Sequence, residues 1–370
     1  MRIACLLLAA LTTLVQAAHA QPPTGRLPFA ANSAGFESAL AAREFEFPRD
    51  HGPHVSFGHE WWYVTGHLHA PSGERFGFEL TFFRVALAPP DDARDQAQGG
   101  SRWRTHQIYV AHFAVTDIDK GRFRSAERFG RDALGLAGAQ SNPLHVWLRD
   151  WSMSADGSTW HIHASQAGYA LTLDMAALAP PVLNGERGLS QKSGSPGDAS
   201  YYYSIPRMTV HGQILRDGQS ISVEGLSWLD REWGSGGLSA QQTGWDWFAL
   251  QLSDGSTLMF YSLRRRDGQQ DVHSAGTWVA EDGGVRALAC DDVAIHVQSS
   301  WMSPRGGRYP ARWTLEVPAL ALSLDLRPVL PDQELGTTPR YWEGAVAVSG
   351  TRDKKVVAGQ GYIELVGYAR

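Results

Sequence analysis

Residues 60–84 read EWWYVTGHLHAPSGERFGFELTFFR. The stretch opens as a tryptophan-rich strand, passes through a turn that contains glycine, and returns as an aromatic strand that ends at Arg84. Residues 245–264, WDWFALQLSDGSTLMFYSLR, repeat the same plan and end at Arg264. This repeat predicts a chain built from two similar halves.

A second repeat closes each half. The segments MTVHG and VAVSG return through VEGLSWLD and AGQGYIEL, so that Trp228 and Asp230 correspond to Tyr362 and Glu364. Short alternating runs separated by turn residues fill the rest of the chain, and no long segment has helical periodicity.

We therefore expect an all-β protein of two consecutive antiparallel β-barrel or sandwich domains. The predicted bounds are 46–236 for the first domain and 237–370 for the second, with a lead-in segment at 21–45. The boundary lies in a stretch rich in glycine, serine and glutamine.

The composition narrows the function classes. A chain of 370 residues that is 43% hydrophobic can bury the cores of two domains. Its 14 tryptophans and 39 glycines indicate an all-β protein with an aromatic-lined cavity. A net charge of −5 provides no basic surface, so nucleic acid is not an expected partner.

The first twenty residues, MRIACLLLAALTTLVQAAHA, have the layout of a secretory signal peptide. Arg2 precedes an apolar run that is too short to span a bilayer, and small residues lead to a cleavage site after Ala20. No later segment reaches the ~20 apolar residues of a transmembrane helix. We expect an exported protein, periplasmic or secreted, with no transmembrane segment in the mature chain.

Carboxylic acids stand among the aromatic residues of both halves. Because side chains alternate across a strand, Asp246 shares a face with Phe248 and Leu250. By the same alternation Glu60 shares a face with Trp62, and each half begins its first strong strand with an acid on the apolar face. Near the end of the first half, the alternation places Trp228, Asp230 and Glu232 together. We take four acids as catalytic candidates: Asp246, Asp230, Glu60 and Glu232.

Two interpretations of these acids stay open. Buried carboxylates are most often paired with arginine for structural reasons, and Arg84, Arg207, Arg231 and Arg264 lie in nearby motifs. Alternatively, at least one acid has a raised pKa and donates a proton. Since Asp246 has no arginine beside it in its own strand, our hypothesis is that Asp246 is the poised neutral acid.

Aromatic side chains beside these acids are the candidate ligand-binding residues. The set is Trp62, Trp228, Trp245, Trp247, His59 and Tyr203. The paired histidines at 67/69 and 161/163 are expected on the solvent side of their strands, so we predict no metal site and no cofactor. Motifs of the common hydrolases are absent from the sequence.

Seven segments together resemble the AttH-like family, which includes the carotenoid 1,2-hydratases. They are GHEWWYVTGHL, FELTFFR, YVAHFAVTD, YYYSIPRMTVHG, VEGLSWLDREWGS, GWDWFALQLSDGSTLMFYSLR and YWEGAVAVSG. The resemblance implies two lipocalin-like β-domains with a ligand cavity in or between them. Its enzymatic branch adds water across an isolated carbon–carbon double bond of a long terpenoid. This chain departs from the family in reading DREWGS where DHEWSS is common, so Arg231 replaces a histidine suited to acid–base work.

The first functional interpretation is an exported lipocalin-like protein that binds a large apolar ligand and acts as a hydro-lyase. Protonating an alkene needs a neutral carboxylic acid in an apolar site, and aromatic faces stabilise the resulting cation. A second interpretation is a non-catalytic periplasmic lipid carrier or accessory factor of a transporter complex. A secreted hydrolase is the third.

Overall fold

The computed structural model describes residues 34–90 and 105–369. Regular structure in those ranges is almost entirely β-strand, with short 3-10 helices at Arg49–His51, Ala133–Gly135, Cys290–Asp292 and Pro318–Leu320. The predicted signal peptide and most of the predicted lead-in segment lie outside the described residues.

The first sheet contains strands from the first half of the chain. They are β1 (His59–His69), β2 (Arg75–Ala86), β3 (Gln107–Asp117), β4 (Arg122–Arg131), β5 (Ala137–Ser141), β6 (Leu144–Leu148), β7 (Trp151–Asp156), β8 (Thr159–Gln166), β9 (Tyr169–Ala177), β10 (Val182–Leu183), β11 (Leu189–Gln191), β12 (Ala199–Arg216) and β13 (Gln219–Gly234). Its strand order is β4-β3-β2-β1-β13-β12-β9-β8-β7-β6-β5, with β10 and β11 also paired to β12.

The second sheet contains the remaining strands. They are β14 (Gln242–Leu252), β15 (Thr257–Arg265), β16 (Ala275–Val279), β17 (Val285–Ala289), β18 (Ala294–Met302), β19 (Arg308–Val317), β20 (Leu322–Pro328), β21 (Glu334–Leu335), β22 (Tyr341–Arg352) and β23 (Lys355–Leu365). Its order is β17-β16-β15-β14-β23-β22-β20-β19-β18, with β21 paired to β22.

Both sheets are antiparallel and curled into near-barrels, which confirms the predicted fold class. The repeated hairpins noted in the sequence are β1–β2 and β14–β15. Their turns contain Gly73 and Gly255 at φ +88° and +87°, a left-handed conformation that glycine adopts without steric cost. In chain order, each hairpin supplies the first two strands of its sheet.

Each curled sheet encloses its own apolar core. Trp62, Val64 and Leu68 of β1 point into the first core. Phe248 and Leu250 of β14 point into the second. The alternation read from the sequence therefore assigned the inner face of both strands correctly.

The outer faces of the central strands meet each other rather than solvent. A third cluster of buried residues joins Tyr63, Tyr202 and Trp228 of the first sheet to Trp247 and Tyr362 of the second. Because β1, β13, β14 and β23 carry this contact, they are covered on both faces. A boundary between two sheets thus lies at the centre of the molecule.

Candidate functional site

Five carboxyl side chains lie on the outer faces of the central strands, where the two sheets meet. We call this set the inter-sheet acid cluster: Glu79, Asp230, Glu232, Glu343 and Glu364. Tyr63 on β1 lies directly across from Asp230 on β13, and its hydroxyl donates a 2.8 Å hydrogen bond to Glu343 on the second sheet. A single side chain therefore connects acids from both halves.

Glu343 is fully buried and has no ion-pair partner within residues 34–90 and 105–369. Its Oε1 accepts from Tyr63, whereas its Oε2 has no hydrogen-bond partner among the described residues. Burial, together with the charges of Glu364 and Glu79, raises the pKa of Glu343 well above its usual range. The burial of Glu343 therefore favours its neutral, protonated form.

Glu364 lies directly across from Glu343 in the antiparallel pair β22–β23, where paired Cβ atoms are about 4.5–5.5 Å apart. It is partly exposed, and its Oε2 accepts a 2.9 Å hydrogen bond from the Trp245 indole. Burial and the charges of Glu232 and Asp230 raise the pKa of Glu364 to about 7, although the Trp245 bond opposes this. Glu364 can therefore hold or release a proton near neutrality.

Asp230 accepts hydrogen bonds from two aromatic side chains, of which Trp228 belongs to the predicted set and Tyr202 does not. Tyr202 Oη donates to Oδ2 at 2.5 Å, and the Trp228 indole donates to Oδ1 at 2.6 Å. The Trp247 indole donates in turn to Tyr202 Oη at 3.0 Å. Burial raises the pKa of Asp230 to about 7 against these hydrogen bonds, and the charge of Glu232 adds to the rise.

Glu79 and Glu232 complete the cluster in different states. Burial raises the pKa of Glu79 to about 8, opposed by a 2.5 Å hydrogen bond from Thr81, and its Oε2 has no partner among the described residues. Glu232 instead forms an ion pair with Lys192 at 3.1 Å and accepts from Ser200. It is the one member of the cluster with an ion-pair partner in the described ranges.

Glu60 lies inside the first sheet, away from this cluster. It pairs with Arg84 and, at 2.9 Å, with Arg231, and all three side chains are fully buried. Burial alone would raise the pKa of Glu60, but Arg84, His54 and Arg231 hold it well below its usual range. The arrangement favours a structural role for Glu60. Arg231 also faces the first core, so the residue at this position does not enter the inter-sheet acid cluster.

Asp246 lies inside the second sheet and pairs with Arg264 of the neighbouring strand β15. Tyr368 Oη also contacts both of its carboxyl oxygens at 3.0 Å. Burial raises the pKa of Asp246, while Arg264 and Tyr368 oppose the rise. Our sequence hypothesis considered only arginines within the same strand and so missed this partner. The ion pair favours the structural interpretation, and catalysis by Asp246 stays a prediction.

The predicted ligand-binding residues divide between the inter-sheet acid cluster and the interior of the first sheet. Trp228, Trp245 and Trp247 reach the inter-sheet acid cluster through the hydrogen bonds above. Trp62 lies in the first core beneath the Arg231 guanidinium, 3.9 Å from its ring, and Tyr203 contacts His51 there.

Two histidines of β1, His59 and His67, lie on its outer face. His59, which stacks on Trp61 at 5.8 Å, is buried, and burial lowers its pKa to about 4. The expectation of a solvent-facing His67 is wrong. Its Nε2 contacts the Gly361 carbonyl of the second sheet at 2.8 Å, and burial lowers its pKa to about 4.

Sequence reasoning missed Glu79, Glu343 and Glu364 as site residues. Glu79 and Glu343 alternate with apolar residues that point into a core, so a strand considered alone assigns each of them to the solvent side. The sequence did contain one signal, since Glu364 repeats the position of Asp230 in the second half.

A surface cleft of about 280 Å³ adjoins the boundary between the sheets. Ser193 lines it from the first half, and Ser239, Arg265 and His273 line it from the second. Lys192, which reaches Glu232, immediately precedes Ser193 in the chain. Within residues 34–90 and 105–369, no group of three or more histidine, cysteine or acidic side chains is arranged to hold a metal ion. Those ranges also contain no helix long and apolar enough to cross a membrane.

Comparison with known proteins gives matches over most of the chain. Residues 38–368 match the family model described as AttH-like. The solved structure of an AttH candidate from Nitrosomonas europaea is 34% identical, with a TM-score of 0.80, and the alignment covers 90% of this chain and 100% of that one. Kievitone hydratase from Nectria haematococca shares the fold, with a TM-score of 0.68 at 15% identity, over 90% of this chain and 97% of that one.

Two curated relatives match by sequence. Kievitone hydratase of Fusarium solani subsp. phaseoli is 24% identical over 244 residues, which cover 63% of this chain and 68% of the relative. The dehydratase asqC of Emericella nidulans is 23% identical over 235 residues, which cover 56% of this chain and 61% of the relative. The chain thus spans about two thirds or less of each relative's length.

Proposed function

Because the chain belongs to the AttH-like family, as its sequence motifs indicated, we propose that it is a hydratase or dehydratase of a small apolar molecule bound at the inter-sheet acid cluster. The observation that carries this proposal is Glu343, a fully buried carboxylic acid that has no counter-charge among the described residues and lies directly across from Glu364.

The two glutamates suit the two halves of the reaction. Adding water to an alkene begins with transfer of a proton to carbon, which Glu343 supplies as the neutral acid. A water molecule then attacks the cation, and Glu364, whose pKa is about 7, accepts the proton that this water releases. Dehydration uses the same groups in reverse. Two neighbouring carboxyls in different environments, one fully buried and one partly exposed, are the usual basis for assigning acid and base roles.

The surrounding rings favour an apolar substrate that passes through a cation. Tyr63, Trp228 and Trp247 pack in one buried cluster beside the acids. Aromatic faces attract a cation by roughly 2 kcal/mol or more where water is excluded. The names of the curated relatives, a hydratase and a dehydratase, support addition or removal of water at this site.

The test is turnover in isotopically labelled water. The purified protein is incubated with short isoprenoid alkenes and with the corresponding tertiary alcohols, and products are followed by mass spectrometry. We expect gain or loss of one water molecule with label from the solvent. Glu343→Gln should lower the rate by about 10²-fold or more, the usual size of a general-acid contribution.

Glu224→Gln is the matched control, because Glu224 lies on the outer face of β13 but its side chain is 72% exposed. Its rate should equal that of the unmodified protein. Binding of these molecules without any change in mass would overturn the proposal in favour of the carrier interpretation. Full turnover by Glu343→Gln would overturn the assigned roles.

Export belongs to the same proposal. The signal-like residues 1–20 support a protein that works in the periplasm or outside the cell. N-terminal sequencing of the exported protein should begin at Gln21, and a chain that retained residues 1–20 would contradict this.

A further inference from the structure

We propose that His112 relays protons between solvent and the inter-sheet acid cluster, so that the acids regain their starting protonation states after each turnover. This inference rests on the proposed function. It is carried by a polar row across the first sheet that the reaction chemistry above does not use.

The row follows the strand register. Tyr63 on β1 pairs with Thr81 on β2, Thr81 pairs with His112 on β3, and His112 pairs with Glu127 on β4. Directly paired residues of antiparallel strands have side chains on one face with Cβ atoms about 4.5–5.5 Å apart. The row therefore runs from the hydroxyl that contacts Glu343 to the end strand of the sheet order.

Hydrogen bonds connect the outer part of this row. His112 Nε2 lies 3.1 Å from Glu127 Oε1, and His112 Nδ1 lies 2.7 Å from Tyr341 Oη. The histidine is 2% exposed, whereas the Glu127 side chain is 17% exposed. Glu127 thus reaches solvent, and Tyr341 belongs to the second sheet. The imidazole joins the surface to the boundary between the sheets.

The inner end of the relay lies beside acids with free oxygens. Tyr341 is two residues before Glu343 on β22, so both side chains are on the same face. Thr81 donates to Glu79 at 2.5 Å. Glu79 Oε2 and Glu343 Oε2 are buried and have no hydrogen-bond partner among the described residues. In the proposed relay, these two oxygens accept a proton from Tyr341 or donate one to it.

The relay has a neutral resting state. The groups that face His112 are Glu127 from β4, Tyr341 from β22 and the ring of Phe83 from β2, 5.1 Å away. Burial lowers the pKa of His112 against the pull of Glu127, and burial raises the pKa of Tyr341. With Glu127 ionised, Nε2–H donates to the carboxylate and Nδ1 accepts from the tyrosine hydroxyl.

Such a path restores the protonation states of the two carboxyls after hydration. One carboxyl loses a proton to the alkene carbon, and a second carboxyl gains one from water, so the product leaves with no net change in protons. The two carboxyls have nevertheless exchanged protonation states, so that the original acid is ionised and the original base is protonated. To reset them, Tyr341 passes its proton to His112 as it receives one from the cluster, and His112 releases a proton at Nε2. The reverse sequence brings a proton in.

The test measures proton exchange in the full-length protein and needs no substrate. Trp228 and Trp245 donate to Asp230 and Glu364, so tryptophan fluorescence reports the protonation of the cluster. In the unmodified protein we expect a fluorescence change centred near pH 7. After a rapid pH step across that midpoint, His112→Ala should relax at least about tenfold more slowly with the same midpoint, and added imidazole should restore the rate.

His163→Phe is the control and should change nothing, because the His163 ring lies on β8, far from β3 in the sheet order, and is hydrogen-bonded to Thr172 at 2.9 Å. If His112→Ala unfolds, His112→Gln keeps a polar group beside Glu127 and should show the same slow relaxation. An unchanged rate in either variant, or slowing that imidazole does not reverse, would overturn the relay. A missing midpoint near pH 7 in the unmodified protein would instead overturn the proposed function.

Discussion

Buried carboxyls in this protein differ in what balances their charge. Glu60 lies between two buried arginines, so its ionised form is stabilised. Glu343 has the Tyr63 hydroxyl as its one hydrogen-bond partner in the described part of the chain, and its burial favours the neutral form. An amide is nearly the same shape as a carboxyl and carries no charge. Replacement by glutamine should therefore separate the two cases.

Glu60→Gln should lower the free energy of unfolding by about 3–5 kcal/mol, because it leaves two buried guanidinium groups without a counter-charge. Glu343→Gln should change it by less than about 1 kcal/mol, because the amide oxygen still accepts from Tyr63. Urea denaturation at pH 7 measures both values. Equal losses in the two variants would mean that Glu343 is ionised in the folded protein.

Asp246→Asn should behave like Glu60→Gln, though less severely, because Arg264 is 17% exposed. We expect a loss of roughly 2–3 kcal/mol, seen as a lower melting temperature at pH 7. Asp325→Asn, at an exposed ion pair with Arg312 and Arg327, is the control and should lose at most about 1 kcal/mol. An unchanged melting temperature for Asp246→Asn would restore the poised-acid hypothesis.

At the scale of elements, the central strands explain what the sequence could predict. Alternation along β1 and β14 predicted which side chains enter each core, because a core imposes a period of two. The same alternation assigned the other face to solvent, which is the usual case in an antiparallel sheet. His67 was misplaced, and Glu79 and Glu343 were not considered, for that reason. When a second sheet covers this face, it adds no periodic signal of its own to the sequence of either strand.

Aligning the two halves by their sequence repeat also placed the acids of β1 and β14 two residues out of register. Glu60 and Asp246 seemed equivalent, since each acid opens a strand. In the structure Glu60 lies opposite Arg84, but Gly244 lies opposite Arg264. Asp246 therefore occupies the position of Trp62, not that of Glu60. Only the pairing between strands fixes this register, and the sequence of one strand does not contain it.

Contact between β2 and β22 depends on a glycine. A Cβ at Gly77 would lie 2.6 Å from Tyr362 Oη and 2.9 Å from Ala345 Cβ, both on the second sheet. Gly77→Ala should thus push the sheets apart and cost about 1–3 kcal/mol of stability, measured by thermal denaturation. Gly237→Ala is the control, because nothing lies within 4 Å of its Cβ position. Equal melting temperatures for the two variants would argue against this inter-sheet contact.

At the scale of the whole molecule, the acids predict how stability depends on pH. The pKa of Glu79 is about 8, and those of Asp230 and Glu364 are about 7, all raised from values near 4. Their stabilising contribution is complete below pH 4 and is lost as pH rises through 7 and 8, because the folded protein holds protons that the unfolded chain has released.

Histidines oppose this trend at lower pH. Burial lowers the pKa of His51, His59 and His67 to about 4, so their contribution is lost as pH falls from 6.5 to 4. Only the acids act above pH 6.5. Between pH 6.5 and 8 the free energy of unfolding should therefore fall by about 2–3 kcal/mol, since each retained proton contributes about 1.4 kcal/mol per pH unit.

Urea denaturation at several pH values measures this slope. The double variant Asp230→Asn/Glu364→Gln should show a shallower decline than the unmodified protein. A stability that is constant from pH 6.5 to 8 would contradict the neutral state of the acids.

The contact between the outer faces of the two sheets also has a consequence for the protein while it is being synthesised. All strands of the first sheet precede residue 235, so this sheet can form on the ribosome while its partner is still being made. Its outer face then lies in water, where Glu79 and Asp230 ionise and give an aromatic surface a negative charge. That charge keeps the nascent half soluble and discourages it from joining another copy. When the second sheet docks, the face must take up protons, so completing the molecule consumes acid from its surroundings.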